Sequence, residues 1–295
     1  MLRRSLAVLV AAAAVAAGCG PASTASKATP PTTTVARSDS QTAIAASAAA
    51  TQEAGSARVD MRMRLTGLPQ AGEVSGTGSG VIAFADRRAQ LAFRMSLPQA
   101  GMTLDMVERM VGPVLYIRSP MYAALNHGKP WIKLDLERAG RAQGLDLNAL
   151  MNSQSSDPAQ MLSYLEASSD SITRVGSGVV HGVTATHYHV VVDLAKAARS
   201  APFSARPAVR RAVMRAAAML GIRTLPVDVW IDADGLVRRE SLRMPLRAPS
   251  LPAGLAMSFT MDLYDFGVPV HVTAPPASQV EDITALAASG SSLSG

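Results

Sequence analysis

Ala57-Arg58-Val59-Asp60-Met61-Arg62-Met63-Arg64-Leu65 is the clearest periodic segment of the chain. Apolar and charged side chains alternate without a break. A strand with one buried face has that period of two; a helix does not. The same reading recurs toward the C-terminus. Val74 to Phe84 makes a second strand, in which Gly76, Gly78 and Gly80 share a face with Val74, Ile82 and Phe84. Asp86-Arg87-Arg88 turns the chain, and Leu91, Phe93, Met95 and Leu97 form the next inward row. After a Pro-Gln-Ala-Gly turn at 98–101, Met102, Leu104 and Met106 continue it, followed by Val114 to Arg118 and Trp131 to Leu134. Short turns between successive strands predict an antiparallel meander.

Helices flank and interrupt the meander. One is expected from Asp39 to about Ala54, capped by Ser38 or Asp39 and ended by Gly55. Asp157-Pro158-Ala159-Gln160 supplies an N-cap, a proline at the first helical position and a glutamine at the third. A helix with Met161, Leu162 and Leu165 buried should start there. Strands resume at Ile172–Gly178 and Val179–Asp193, hinged near His181-Gly182. From Ala208 to Leu220 a helix sets Val209, Val213, Ala216 and Leu220 on one side, and Arg206, Arg210, Arg211 and Arg215 on another. Three strands close the domain: Leu225–Ile231, Leu236–Met244 and Leu255–Tyr264. The first two are joined by Asp232-Ala233-Asp234-Gly235, which carries the hairpin-favouring Asp-Gly pair. The expected domain spans 39–273, and the small, polar residues 274–295 read as a loose tail with at most a short helix near 280–288.

The N-terminus sets the compartment. Arg3 and Arg4 precede the apolar run Leu6-Ala7-Val8-Leu9-Val10-Ala11-Ala12-Ala13-Ala14-Val15, and small residues lead to Cys19, the only cysteine. This is a secretory signal over 1–18, too short to span a bilayer permanently. Ala16-Ala17-Gly18-Cys19 resembles the bacterial lipobox, with Ala16 where that pattern prefers leucine. The resemblance implies that the Cys19 sulfur carries a diacylglycerol and that the chain is cut before it. The alternative is a plain signal peptide leaving a free thiol. Two acyl chains give stable anchoring on the extracytoplasmic face of the cell membrane. Residues 19–38 are rich in Pro, Thr, Ser and Ala and read as a flexible tether.

Loss of Arg3 and Arg4 with the leader leaves 26 basic residues against 22 acidic ones, a net +4. No basic run interleaves with aromatics, so nucleic acid is not an expected partner. Fifteen methionines with only 4% aromatic residues predict a soft, adaptable interior.

The order of elements then resembles a known group. Leader, tether, helix, meander and helices precede Gly182-Val183-Thr184-Ala185-Thr186-His187-Tyr188 and Leu225-Pro226-Val227-Asp228-Val229-Trp230-Ile231-Asp232-Ala233-Asp234-Gly235-Leu236-Val237-Arg238-Arg239. Over about 40–270 this is similar to the actinobacterial LppX/LprA/LprF/LprG lipoproteins of the wider LolA-like superfamily. The resemblance implies an α+β fold: a curved antiparallel sheet, a half-barrel, with helices over its concave face. It also implies a greasy cavity that carries acylated lipid or glycolipid, and it brings no catalytic residues and no cofactor.

The residues themselves fit such a hollow. The expected lining is Met61, Met63, Leu65, Gly76, Gly78, Gly80, Leu91, Phe93, Met95, Met102, Met106, Met257, Phe259 and Met261. Methionine adapts to floppy acyl chains, and three glycines leave a stripe free of side chains. Alternatively, methionine fills an ordinary core and the glycines lie at bulges or under a helix. Other chemistries are weaker. His187 and His189 point the same way on a strand, close to His181, yet no acid is clearly placed to complete a metal site. Asp232-x-Asp234-Gly235 lacks the later ligands of a calcium loop, and Gly76-x-Gly78-x-Gly80 opens no helix as a phosphate loop does. No Gly-x-Ser-x-Gly elbow is present, and no enzyme activity is expected. The arginines of 206–215 either touch anionic headgroups or are the wet side of a packed helix. The reading is a membrane-anchored lipid carrier. The alternative is a lipid-sensing or scaffolding lipoprotein that works through an envelope transporter or regulator protein, with lipid hydrolysis a weaker third.

Overall fold

The opening stretch becomes an interior strand of a twelve-stranded sheet. A computed structural model describes residues 39–69, 72–120, 126, 128–142, 169–200 and 206–288. The elements are α1 (Asp39–Glu53), β1 (Ser56–Leu68), β2 (Gly72–Ala83), β3 (Arg88–Leu97), β4 (Met102–Val111), β5 (Val114–Arg118) and β6 (Trp131–Asp135). They continue with α2 (Leu136–Ala142), β7 (Ser169–Val180), β8 (Val183–Asp193), α3 (Leu194–Ser200), α4 (Arg206–Leu220), β9 (Thr224–Asp232), β10 (Val237–Pro245), β11 (Ala256–Tyr264), β12 (Val280–Asp282) and α5 (Thr284–Ala288). The leader, Cys19, the tether and the helix expected at Asp157 lie outside the described residues.

Strand order is β12-β6-β5-β4-β3-β2-β1-β11-β10-β9-β8-β7. Every neighbouring pair is antiparallel except β12 on β6. The β1–β6 meander follows from short turns. At one of them Gly101 takes φ +59, a backbone shape that L side chains resist. The last strands close back on the first, so β11 lies beside β1 with Met61 opposite Met261 and Met63 opposite Phe259. Register then carries the alternation across the sheet. Val59, Met61, Met63 and Leu65 share an inner face with Gly80, Gly78, Gly76 and Val74 of β2, while Arg58, Asp60, Arg62 and Arg64 face outward.

Helices close the inner side. On α1, Ala45 is buried and Ile44 packs on the cluster containing Val59 and Ile231. The Val237 N–H donates to Thr51 Oγ1 at 2.9 Å, which ties the helix to β10. The end of α4 brings Leu220 against Leu246 and Leu255.

Three expectations change in detail. On α4, Ala217 is buried and Ala216 exposed, because Val213, Ala217 and Leu220 make the tighter helical stripe. β7 runs on to Val180, and the reversal occurs at His181 (φ +46) and Gly182 (φ +81). The segment after 273 is docked rather than loose over its described part. Val280 pairs with Trp131, the Ile283 N–H donates to the Lys133 carbonyl, and the Asp135 N–H donates to the buried Thr284 hydroxyl. Lys133 and Asp282 add an ion pair at 2.8 Å. Backbone pairing and charge hold this segment, so its weak apolar pattern gave no sign of it.

Candidate functional site

The inner face is sealed in patches. One buried cluster holds Val59, Met61, Ile231 and Val237; a second holds Leu65, Val74, Met244 and Leu255; a third holds Met106, Ile117 and Ile132. Between them Met63, Phe93, Met95, Leu242, Phe259 and Met261 are only half-buried. These strand residues point one way because register places them on one face. The result is an apolar belt inside the sheet that its own neighbours cover only in part.

The expected lining residues therefore separate. Met63, Leu91, Phe93, Met95, Met257, Phe259 and Met261 stand half-buried on this face. Met61, Leu65 and Met106 are packed into the buried clusters. Met102 stands at the end of β4 and is 56% exposed.

The glycine stripe is also partly filled. A Cβ on Gly76 would meet only ordinary contacts, 3.6 Å from the Arg94 carbonyl and 3.8 Å from Met63 Cε. On Gly78 it would stand 2.6 Å from Phe93 Cδ1, because the phenyl ring lies over that glycine. On Gly80 it would fall on the Gln90 carbonyl oxygen. Gly78 and Gly80 thus admit a ring and a close backbone, and Gly76 alone of the three leaves open contact room.

Two carboxyl groups share the inner face. Glu108 on β4 follows Met106 and precedes Met110 in the inward register, opposite Leu91 and Ile117. Glu240 on β10 lies opposite Met261 and Val229. Burial pushes both pKa values up. Sequence reasoning missed them, although each interrupts an apolar alternation at an inward position, which is the signal that finds them.

The outer face is polar and tightly paired. Asp262, buried to 2% exposure, accepts from Arg239 Nε at 2.5 Å and Nη2 at 2.8 Å, and from Arg62 Nη2 at 3.0 Å. Burial alone would raise its pKa; the hydrogen bonds from Arg239 and Arg62 more than reverse this and lower it. The tip of the β7–β8 hairpin bends over this face, stacking His181 on Tyr264 with centroids 4.0 Å apart. His187 Nε2 and His189 Nδ1 both hydrogen-bond Asp228 Oδ1, at 2.8 and 2.9 Å, and His187 stacks on Trp230. Asp228 is thus the acid that the strand pattern left unplaced. Among the described residues, no group of three or more His, Cys, Asp and Glu is arranged to hold a metal ion. Asp232 Oδ1 accepts from the N–H groups of Asp234 and Leu236, and its other oxygen pairs with Arg238, so this aspartate serves the turn. No described helix is long and apolar enough to cross a membrane.

No family model matches the chain. It is 27% identical over 256 residues to an uncharacterized 31.2 kDa protein of Streptomyces griseus from the rplA–rplJ intergenic region, a match covering 78% of this chain and 79% of that protein. Among solved structures it is similar to the Mycobacterium tuberculosis lipoprotein LppX, at 14% identity and a TM-score of 0.45, over 80% of this chain and 100% of that one. It is similar to LprF from Mycobacterium bovis at 12% identity and a TM-score of 0.41, over 80% of this chain and 97% of that one.

Proposed function

We propose that this protein is a lipid-anchored, extracytoplasmic lipoprotein. Its inner sheet face shelters the acyl chains of a lipid or glycolipid during transport or assembly in the cell envelope. The observation that carries the reading is the half-buried apolar belt of Met63, Phe93, Met95, Leu242, Phe259 and Met261 between three closed clusters. Ordinary cores bury such residues; a belt left half-covered is a surface for something else. Each methylene withdrawn from water there contributes about 0.8 kcal/mol, so six give about 5 kcal/mol. Methionine thioethers adjust to chains of differing shape. No covalent step is needed, since an acyl chain moves from bilayer to belt and leaves when an acceptor offers a better surface. Diacylation of Cys19 holds the domain at the membrane, and the 19–38 tether lets it reach cargo.

The test is lipid extraction and mass spectrometry of the full chain carrying Cys19→Ser. Acylated lipid should copurify, and the protein should move labelled lipid between vesicles. Repeatedly lipid-free, well-folded protein that transfers nothing would refute the reading. Stoichiometric capture of one membrane protein without lipid transfer would instead favour a lipid-sensing role.

A further inference from the structure

On β1, β11 and β10 the outer face carries two arginine pairs, one bridged by a carboxylate and one not. Arg62 and Arg239 reach across β11 to the same carboxylate, Asp262. Further along the same three strands, Arg64 and Arg243 both stand opposite residue 258 of β11. There the bridging position holds Ser258, a neutral hydroxyl. Arg243 is exposed and has no acid partner among the described residues. Arg64 has one long contact, its Nε 3.7 Å from Glu73 Oε1, with both side chains largely exposed. These arginines, Ser258, Thr66 and Glu73 line a cleft of about 220 Å³. Two arginines that line one cleft beside a serine offer charge-assisted donors that suit an oxyanion.

We propose that this cleft binds a phosphate-type oxyanion, held by Arg64 and Arg243 and hydrogen-bonded by Ser258 and Thr66. The anion takes the place that the Asp262 carboxylate occupies in the neighbouring pair. Glu73 opposes it and must swing toward solvent as the anion enters. The source is either a phospholipid headgroup at the bilayer surface or free phosphate, and the inference is independent of the lipid-carrier reading.

The test uses the mature chain from Gly20 onward, without leader or Cys19, so that neither holds vesicles by itself. Titration calorimetry with inorganic phosphate tests the free anion; flotation with phosphatidylglycerol against phosphatidylcholine vesicles tests the headgroup. Saturable, one-site binding in either arm is expected. Arg243→Gln should weaken it about tenfold, the loss of one charge-assisted contact. Glu73→Gln should tighten it, and Arg210→Gln, on the exposed side of α4, should leave it unchanged. Equal weakening by Arg210→Gln and Arg243→Gln would show only diffuse charge and overturn the site. Binding in neither arm would overturn it as well.

Discussion

Alanine at each of the three inner-face glycines should produce a graded series. At Gly76 a Cβ meets only contacts of 3.6–3.9 Å, so Gly76→Ala should be neutral or stabilising by up to about 1 kcal/mol through the restricted unfolded chain. At Gly78 the new methyl would stand 2.6 Å from Phe93 Cδ1. Carbon atoms prefer about 3.5–4.0 Å, so the ring must retreat by about 1 Å. Displacing one packed ring should cost about 1–3 kcal/mol. At Gly80 the obstacle is the Gln90 carbonyl, which belongs to the β2–β3 ladder and cannot rotate away. The strands must part locally, and losing roughly three ladder hydrogen bonds at about 1 kcal/mol each makes Gly80→Ala costlier than about 3 kcal/mol. Urea titration with an unchanged slope reads the series as a shift in midpoint. Gly78→Ala should also weaken binding of an alkyl probe relative to Gly76→Ala, since Phe93 is pushed into the belt. Equal midpoints for the Gly76 and Gly80 variants would refute the account of close packing in this stripe.

Asp262→Asn should cost about 2–3 kcal/mol in urea titration, less than a fully buried pair because Arg62 and Arg239 can partly rehydrate; an unshifted midpoint would contradict it. Acid should act on the same group and on Asp282. Burial pushes the Asp282 pKa up, but the hydrogen bonds from Lys133 and Thr284 outweigh that and bring it to about 2. Both folded values are depressed, so their stabilisation is complete above the ordinary carboxylate range and is lost as the pH falls through the folded values. Thermal melts should show that loss toward pH 2, and Asp282→Asn should flatten it. Glu108 and Glu240 have the opposite sign. Their raised folded pKa values make their contribution best below the ordinary range and worse as the pH rises through the folded values. Glu240→Gln should therefore stabilise the protein at pH 8 more than at pH 4, and a melt showing equal gains at both would count against a carboxyl whose pKa burial raises there.

How much of this was legible in the residues depends on what each feature rests on. Strands β1 to β6 and the α1 helix came from periodicity and turn chemistry, which are local. Gly55, at φ +77, ends α1 where the sequence placed the stop. The C-terminal strand β12 was not legible, because backbone pairing with β6 needs no apolar pattern of its own. The belt was legible as a row of methionines but not as a surface. Met61 and Met63 are two residues apart on one face, yet one is buried and the other half-buried. Only their neighbours on other strands make that difference.

By itself, the alternation from Ala57 to Leu65 determined a one-faced strand, and its repetition determined an antiparallel sheet, because side-chain direction in a strand has a strict period of two. The tertiary structure decided what each row faces. It put Phe93 over Gly78, Asp262 between two arginines, Glu108 between Leu91 and Ile117, and Glu240 between Met261 and Val229. Those placements depend on the register of chain segments as much as 200 residues apart. A local pattern can say which way a side chain points, but not what it meets there.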